Sequence, residues 1–246
     1  MFENFDEQLL DDFANTFYGY GDYQGKYWFI GMEEGGGDSY EKVNNQLITW
    51  ERRGRCELEL LPAFDQDLGI GNYFQMPPKN QPTWNRLIRV ILSASDPVWD
   101  SKTAQLQKKA VQNYQVSKLG RMPGQDCLIE LLPLPSPSMS HWIYADHTNK
   151  LQQFKDRKKY LDHYLPRRVH HIRKRIHQYN PAVVVFYGFS YRSYWEQIVE
   201  DSFSHDPTHN IYTIQRNTTF FAIIYHPARK ADYAYFHTVG RLIASI

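Results

Sequence analysis

The chain has 246 residues, 42% of them apolar and 15% aromatic, and a formal net charge of +1. This suits one folded unit with a substantial core and excludes a disordered chain. No apolar run is long enough for a membrane span, the start "MFENFDEQLLDDFANTF" is acidic and helix-like rather than a leader, and two cysteines, Cys56 and Cys127, cannot build a disulfide framework. A soluble cytoplasmic protein with reduced thiols is expected.

In chain order, "KYWFIGM" (26–32) is the first buried-strand candidate, and it runs into Glu33, Glu34 and three glycines. Residues 38–82 show no clear periodicity and are expected to be an insertion that closes over the site as a lid. A helix is predicted over "TWNRLIRVILSA" (83–94), then a strand over "DCLIELLPLP" (126–135), followed by a serine–proline run that contains Ser136. Residues 155–177 hold nine Lys/Arg against two Asp, a local net charge of +7 in a chain otherwise at −6. After Pro166 the spacing of Val169, Ile172, Ile176 and Tyr179 predicts a helix with its arginines outside. "PAVVVFYG" (181–188) is a third strand, "SYRSYWEQIVEDSF" (190–203) a helix, "TTFFAIIYHP" (218–227) a fourth strand and "YFHTVGRLIASI" a closing helix.

Near-continuous apolar runs that alternate with helices predict an α/β fold. The expectation is a single three-layer α/β/α domain over 1–246 with a central, mainly four-stranded parallel sheet. Ligands bind such sheets beyond the carboxyl ends of the strands. All four runs end in chemically loaded sequence: GMEEGGG, ELLPLPSPS, YGFSY and YHPARK. The Gly-rich loop lacks both the Lys-Ser/Thr of a P-loop and the spacing of a dinucleotide fingerprint, and adjacent glutamates repel phosphate. His141, His147 and His226 are scattered, so no metal-ligand spacing appears, and no cofactor is expected. No GxSxG elbow is present. A carboxylate after the first strand can align water and stabilise a cationic transition state, and a histidine after the last can hold a leaving group's charge. With a basic helix, this points to cleavage of an N-glycosidic bond in nucleic acid.

The order of motifs resembles the uracil-DNA glycosylase superfamily, whose first strand ends in GQDPYH, GEAPG or GMNPG and whose last ends in HPS. Here Gly31-Met32-Glu33-Glu34-Gly35 and Tyr225-His226-Pro227-Ala228 stand at those places. "QPTWNRL", "CLIELLPLP" and "HQYNPAVVVFYGFS" are similar to the helix entry, the base-reading strand and the helix-then-strand between them. The resemblance implies a monofunctional DNA glycosylase without metal or cofactor, since no lysine stands at a motif position suited to Schiff-base chemistry. It takes a base flipped from a duplex, or an unpaired one, and leaves an abasic site.

By this resemblance Glu33 activates or positions water, with Glu34 exchanging roles if the turn shifts by one, and His226 steadies the departing base. Gly31 and Met32 flank the base, with Tyr40, Phe74 or Trp84 stacking on it. Arg229 and Lys230 stand at the loop that pinches the DNA backbone. Arg167, Arg168 and Ser136 are also expected to contact DNA. The family's proline is replaced by Glu34, which favours an alternative: a non-catalytic module that binds nucleic acid or a modified base. A nucleotide-binding α/β protein is a third reading. Glu130 stands where uracil-taking relatives carry asparagine. Read as a carboxylate that only accepts, it matches the amino group of a cytosine-type base, and a bulky modification would suit the glycines. Some relatives excise glucosylated hydroxymethylcytosine from phage DNA, and this chain is compatible with that anti-phage group.

Overall fold

The structure is a computed structural model and describes residues 3–138, 140–229 and 232–246. Its framework is one mixed, mostly parallel sheet of eight strands, β1 (Gly19–Gly21), β2 (Tyr27–Glu33), β3 (Leu58–Glu59), β4 (Asp126–Leu132), β5 (Val183–Tyr187), β6 (Ser204–Asp206), β7 (Ile211–Arg216) and β8 (Thr219–Ile224). The spatial order is β3-β1-β4-β2-β5-β8-β7-β6. The four predicted strands are the middle of this order, and β4, β2, β5 and β8 run mutually parallel. Their residues are buried almost throughout, as a sheet covered on both faces requires. β1 and β7 flank these four as antiparallel strands, with β3 and β6 at the edges, and none of these outer strands was anticipated from the sequence.

Eight α-helices cover the sheet among the described residues: α1 (Glu7–Thr16), α2 (Tyr40–Arg52), α3 (Leu61–Asp67), α4 (Pro82–Ser95), α5 (Ala104–Ser117), α6 (Arg157–Tyr179), α7 (Arg192–Val199) and α8 (Tyr233–Ala244). None is long and apolar enough to cross a membrane. Several are closed by side chains: Asp6, Ser39, Thr103, Asp156 and Asp232 each accept from a first-turn N–H of the helix that follows.

Three expectations need correction. Residues 38–82 are not a loose lid: α2 buries Val43, Leu47 and Trp50, β3 pairs with β1, and only Gln81 and Pro82 of the segment line the cleft described below. Pro166 lies inside α6 rather than before it, so the helix begins nine residues earlier, at Arg157, where Asp156 caps it. Finally, the positive charge of α6 is largely used internally. Arg157 pairs with Glu33, Arg173 with Glu200, Arg175 and His171 with Glu57, and Lys158 with Asp162.

Arg168 departs furthest from its expected role in binding DNA. It is only 1% exposed, donates to the carbonyls of Leu131, Ala14 (3.1 Å) and Glu130 (2.9 Å), and lies 3.7 Å over the Tyr18 ring. No phosphate reaches it. Arg167, its neighbour, is exposed and donates to Asn15 at 3.2 Å, but it does not line the cleft.

Candidate functional site

A cleft of about 1290 Å³ opens at the carboxyl ends of the parallel strands. The loops after β2, β4, β5 and β8 all reach it, because parallel strands place their exits at one edge. Lining it are Met32, Glu33, Glu34, Glu130, Ser136, Tyr187, His226 and Arg229, along with Trp84 from the start of α4. Residues as far apart in sequence as Met32 and Arg229 thus meet at one site with residues adjacent in the chain.

Gly31 does not line the cleft, yet it decides what can sit there. It pairs with Glu130 across the β2–β4 register, and a methyl group at its Cα would come within 2.3 Å of both Glu130 Oε2 and the Tyr187 hydroxyl. The missing side chain makes room for a hydrogen bond from Tyr187 to Glu130 Oε1, 2.7 Å long, spanning the strand from β5 to β4. Of the three glycines that follow Glu34, only Gly35 lines the cleft, with open space beside it. Gly36 and Gly37 answer to the backbone, with φ of +112° and +64°, and a side chain on Gly37 would strike the Pro135 carbonyl. The run is one open position followed by a turn.

The carboxyl groups here share one property. Burial pushes Glu33 up to about 7, against the pull of Arg157, whose guanidinium pairs with Oε2; Glu33 Oε1 has no hydrogen-bond partner. Glu34 is raised to about 7 by burial, and accepts from Tyr20 at 3.4 Å and Gln46 at 3.3 Å. Burial, with Glu34 and Glu33 adding repulsion, lifts Glu130 to about 8. Behind them Asp65 rises to about 7 through burial and the nearby Glu34. At neutral pH Glu130 is therefore mainly a neutral acid, able to donate as well as accept. An accept-only Glu130 no longer follows, and with it goes the simple argument against uracil.

His226 is the opposite case. Burial and the Arg229 cation lower its pKa, so the ring is neutral at pH 7. The backbone N–H of Ala228 donates to its Nδ1 at 3.2 Å, which places the proton on Nε2. The ring packs edge-on to Tyr187, 5.4 Å between centroids.

These carboxyls give stability a definite pH dependence. Their folded values lie above the unfolded ones of 4.5 and 3.8, so the stabilisation is complete in acid and is lost as pH rises through about 7 and 8. His226 and His237 are lowered and act in the opposite direction, but only below their ordinary value of 6.5. Between pH 6.5 and 8.5 the carboxyls dominate. We expect a loss on the order of 3 kcal/mol over that interval, a fall of roughly 6–12 °C in Tm. Glu130→Gln should visibly flatten the slope in a thermal melt series; an unchanged slope would exclude Glu130 as its main source.

Other expected site residues fall elsewhere. Tyr40 donates to the Asn4 carbonyl at 3.1 Å and packs tilted against Phe5 and His147, outside the cleft. Phe74 does not line the cleft either and packs against Trp84, which does. Ser136 lines it, but is 7% exposed, with its hydroxyl turned to the Ser138 and His141 carbonyls and its N–H to Glu34. This makes it a loop brace rather than a DNA contact. Lys230 lies outside the described residues. Sequence reasoning missed Arg157, Tyr20, Tyr187 and Gln46: each is remote in the chain from the carboxylate it touches.

Among the described residues no group of three or more His, Cys, Asp or Glu side chains is placed to hold a metal ion. Compared with family models, curated proteins and solved structures, the chain matches none.

Proposed function

We propose that the protein is a DNA glycosylase that hydrolyses the N-glycosidic bond of an unstacked nucleotide, built on a uracil-DNA-glycosylase-like three-layer fold. The observation that carries this reading is the meeting, in one cleft, of two carboxyl groups at the end of β2 with a neutral His226 whose Nε2 bears the proton. A glycosidic bond breaks through an oxocarbenium-like state. An ionised Glu33 supports that cation and aligns water, while the His226 Nε2–H donates to the base as negative charge develops on it. The cleft exceeds the usual 300–1000 Å³ of a small-molecule pocket, which suits a nucleotide bearing a further substituent. The proposed substrate remains a modified cytosine. The neutral acid of Glu130 complements the acceptor–donor edge formed by its N3 and N4.

A second reading, a binding module that does not cleave, draws on Glu33 itself. The side chain is ion-paired with Arg157 and only part ionised at pH 7, which suits a structural carboxylate as well as a catalytic one. One experiment separates the two. The protein is incubated with DNAs that contain uracil, cytosine, hydroxymethylcytosine or glucosylated hydroxymethylcytosine, and alkali-labile sites are counted. Abasic sites confined to a cytosine derivative are expected. Sites at uracil would keep the enzyme and remove the base assignment, and bound but uncut DNA would favour the module.

A further inference from the structure

Three separate loops bring aromatic rings to the rim of the cleft: Trp84 at the start of α4, Phe189 and Tyr191 after β5, and Tyr225 after β8. Tyr225 is the most telling. It remains 39% exposed although its surroundings hold it from several sides. Its hydroxyl accepts from the Asn210 side chain, its ring packs edge-on to Tyr235 at 5.1 Å, and Phe189 lies 4.5 Å away. An aromatic ring fixed in place yet left partly bare forgoes part of the stabilisation that burial would give. Arg229, exposed on the same rim, has no side-chain partner among the described residues and is near enough to His226 to lower its pKa.

We propose that Tyr225 and Phe189 form a stacking platform for an unpaired base beside the one in the cleft, with Arg229 on the adjoining phosphate, so that the protein takes single-stranded DNA in preference to duplex. In a duplex both faces of each base are covered by neighbours, and no ring can lie on them without unstacking the helix. In a single strand the faces are free, and aromatic stacking with a nearby cation is the usual way to hold them. The internal use of the charge on α6 agrees with this. Arg157, Arg168, Arg173 and Arg175, half of the Lys/Arg of the helix, are held within the fold, which leaves fewer cations to track the paired phosphates of a duplex.

This inference rests on the nucleic-acid part of the reading above, but not on cleavage. It is tested with a fluorescent, unmodified oligodeoxynucleotide, alone and annealed to its complement, by anisotropy at low salt. Single-strand affinity should exceed duplex affinity by about tenfold or more. Tyr225→Ala and Phe189→Ala should each lower it about tenfold, Tyr225→Trp should restore most of it, and Arg229→Ala should reduce its salt dependence. Equal affinities, or single-strand binding untouched by both alanine variants of unchanged Tm, would overturn the platform. The base panel is scored separately: single-strand binding without excision leaves the platform and removes the enzyme, and excision from duplex with no single-strand binding does the reverse.

Discussion

Arg168→Ala should strongly destabilise the fold, whatever it does to the proposed binding of nucleic acid. The guanidinium donates to three carbonyls, one from α1 and two from consecutive residues of β4. Removing it strips hydrogen bonds from buried oxygens at about 1–3 kcal/mol each, takes away the contact with Tyr18, and opens a cavity in the core. A total of about 3–5 kcal/mol is a large part of the 5–15 kcal/mol that holds a typical domain together. Arg168→Lys should recover little, because an ammonium cannot serve three carbonyls in a planar fork. Urea denaturation measures this directly, with Arg167→Ala as the neighbouring control expected to shift stability by less than about 0.5 kcal/mol. Because Arg168 also holds the backbone of Glu130, a partly folded Arg168→Lys protein should lose the proposed base preference before it loses the sheet. If Arg168→Ala melts like the wild type, its carbonyl partners are met by other donors and Arg168 has no structural role.

The second large effect rests on the proposed glycosylase chemistry. His226→Ala should slow excision under single-turnover conditions about 10²–10³-fold, the usual cost of deleting one donor to a developing anion. Glu33→Gln should cost about 10²–10⁴-fold. The pH profile tells the two apart. On that reading Glu33 acts as the ionised form and its pKa is raised to about 7, so the wild-type rate should climb as pH passes 7 and level off before Glu130, needed as a neutral acid, ionises near 8. His226 is held below its ordinary value of 6.5 by burial and Arg229, so the rise through 7 is not its own. Glu33→Gln should therefore abolish the climb along with most of the rate, while His226→Ala keeps the climb at a lower level. Glu34 is raised to a similar value, so Glu34→Gln is the necessary companion. If it is the variant that flattens the profile, the carboxylate role passes to Glu34. A Glu33→Gln protein with the wild-type rate and profile would take Glu33 out of the mechanism.

Some of this was legible in the sequence, for physical reasons. The four central strands are continuous apolar runs because both of their faces are covered, and a run of that kind declares itself without knowledge of its neighbours. Their loaded ends follow from the same rule, since parallel strands share one exit edge, and Glu33, Glu34, Glu130 and His226 do reach a common cleft. The short outer strands were not legible. β1 is Gly-Tyr-Gly and β3 only two residues long, and each exists because a neighbouring backbone offers it hydrogen bonds. Likewise α2 looked aperiodic because part of its inner face is polar: Gln46 and Thr49 are buried there, and Gln46 is spent on Glu34.

Charge was the least legible property of all. A run of nine cations reads the same whether it faces phosphate or pairs within the fold; only the packing of α6 against α1 and β4 turned Arg168 inward and brought Arg157 to Glu33. The same holds for protonation. Chemical identity makes Glu130 an acid, but its state near neutral pH depends on burial, on Glu33 and Glu34 close by, and on the Tyr187 hydroxyl that reaches it across the space left by Gly31. Local sequence determined which strands form and where their ends lie, because burial of a whole strand is written in consecutive residues. Tertiary structure decided which of the charged groups at those ends stay charged, because desolvation and pairing come from residues far apart in the chain.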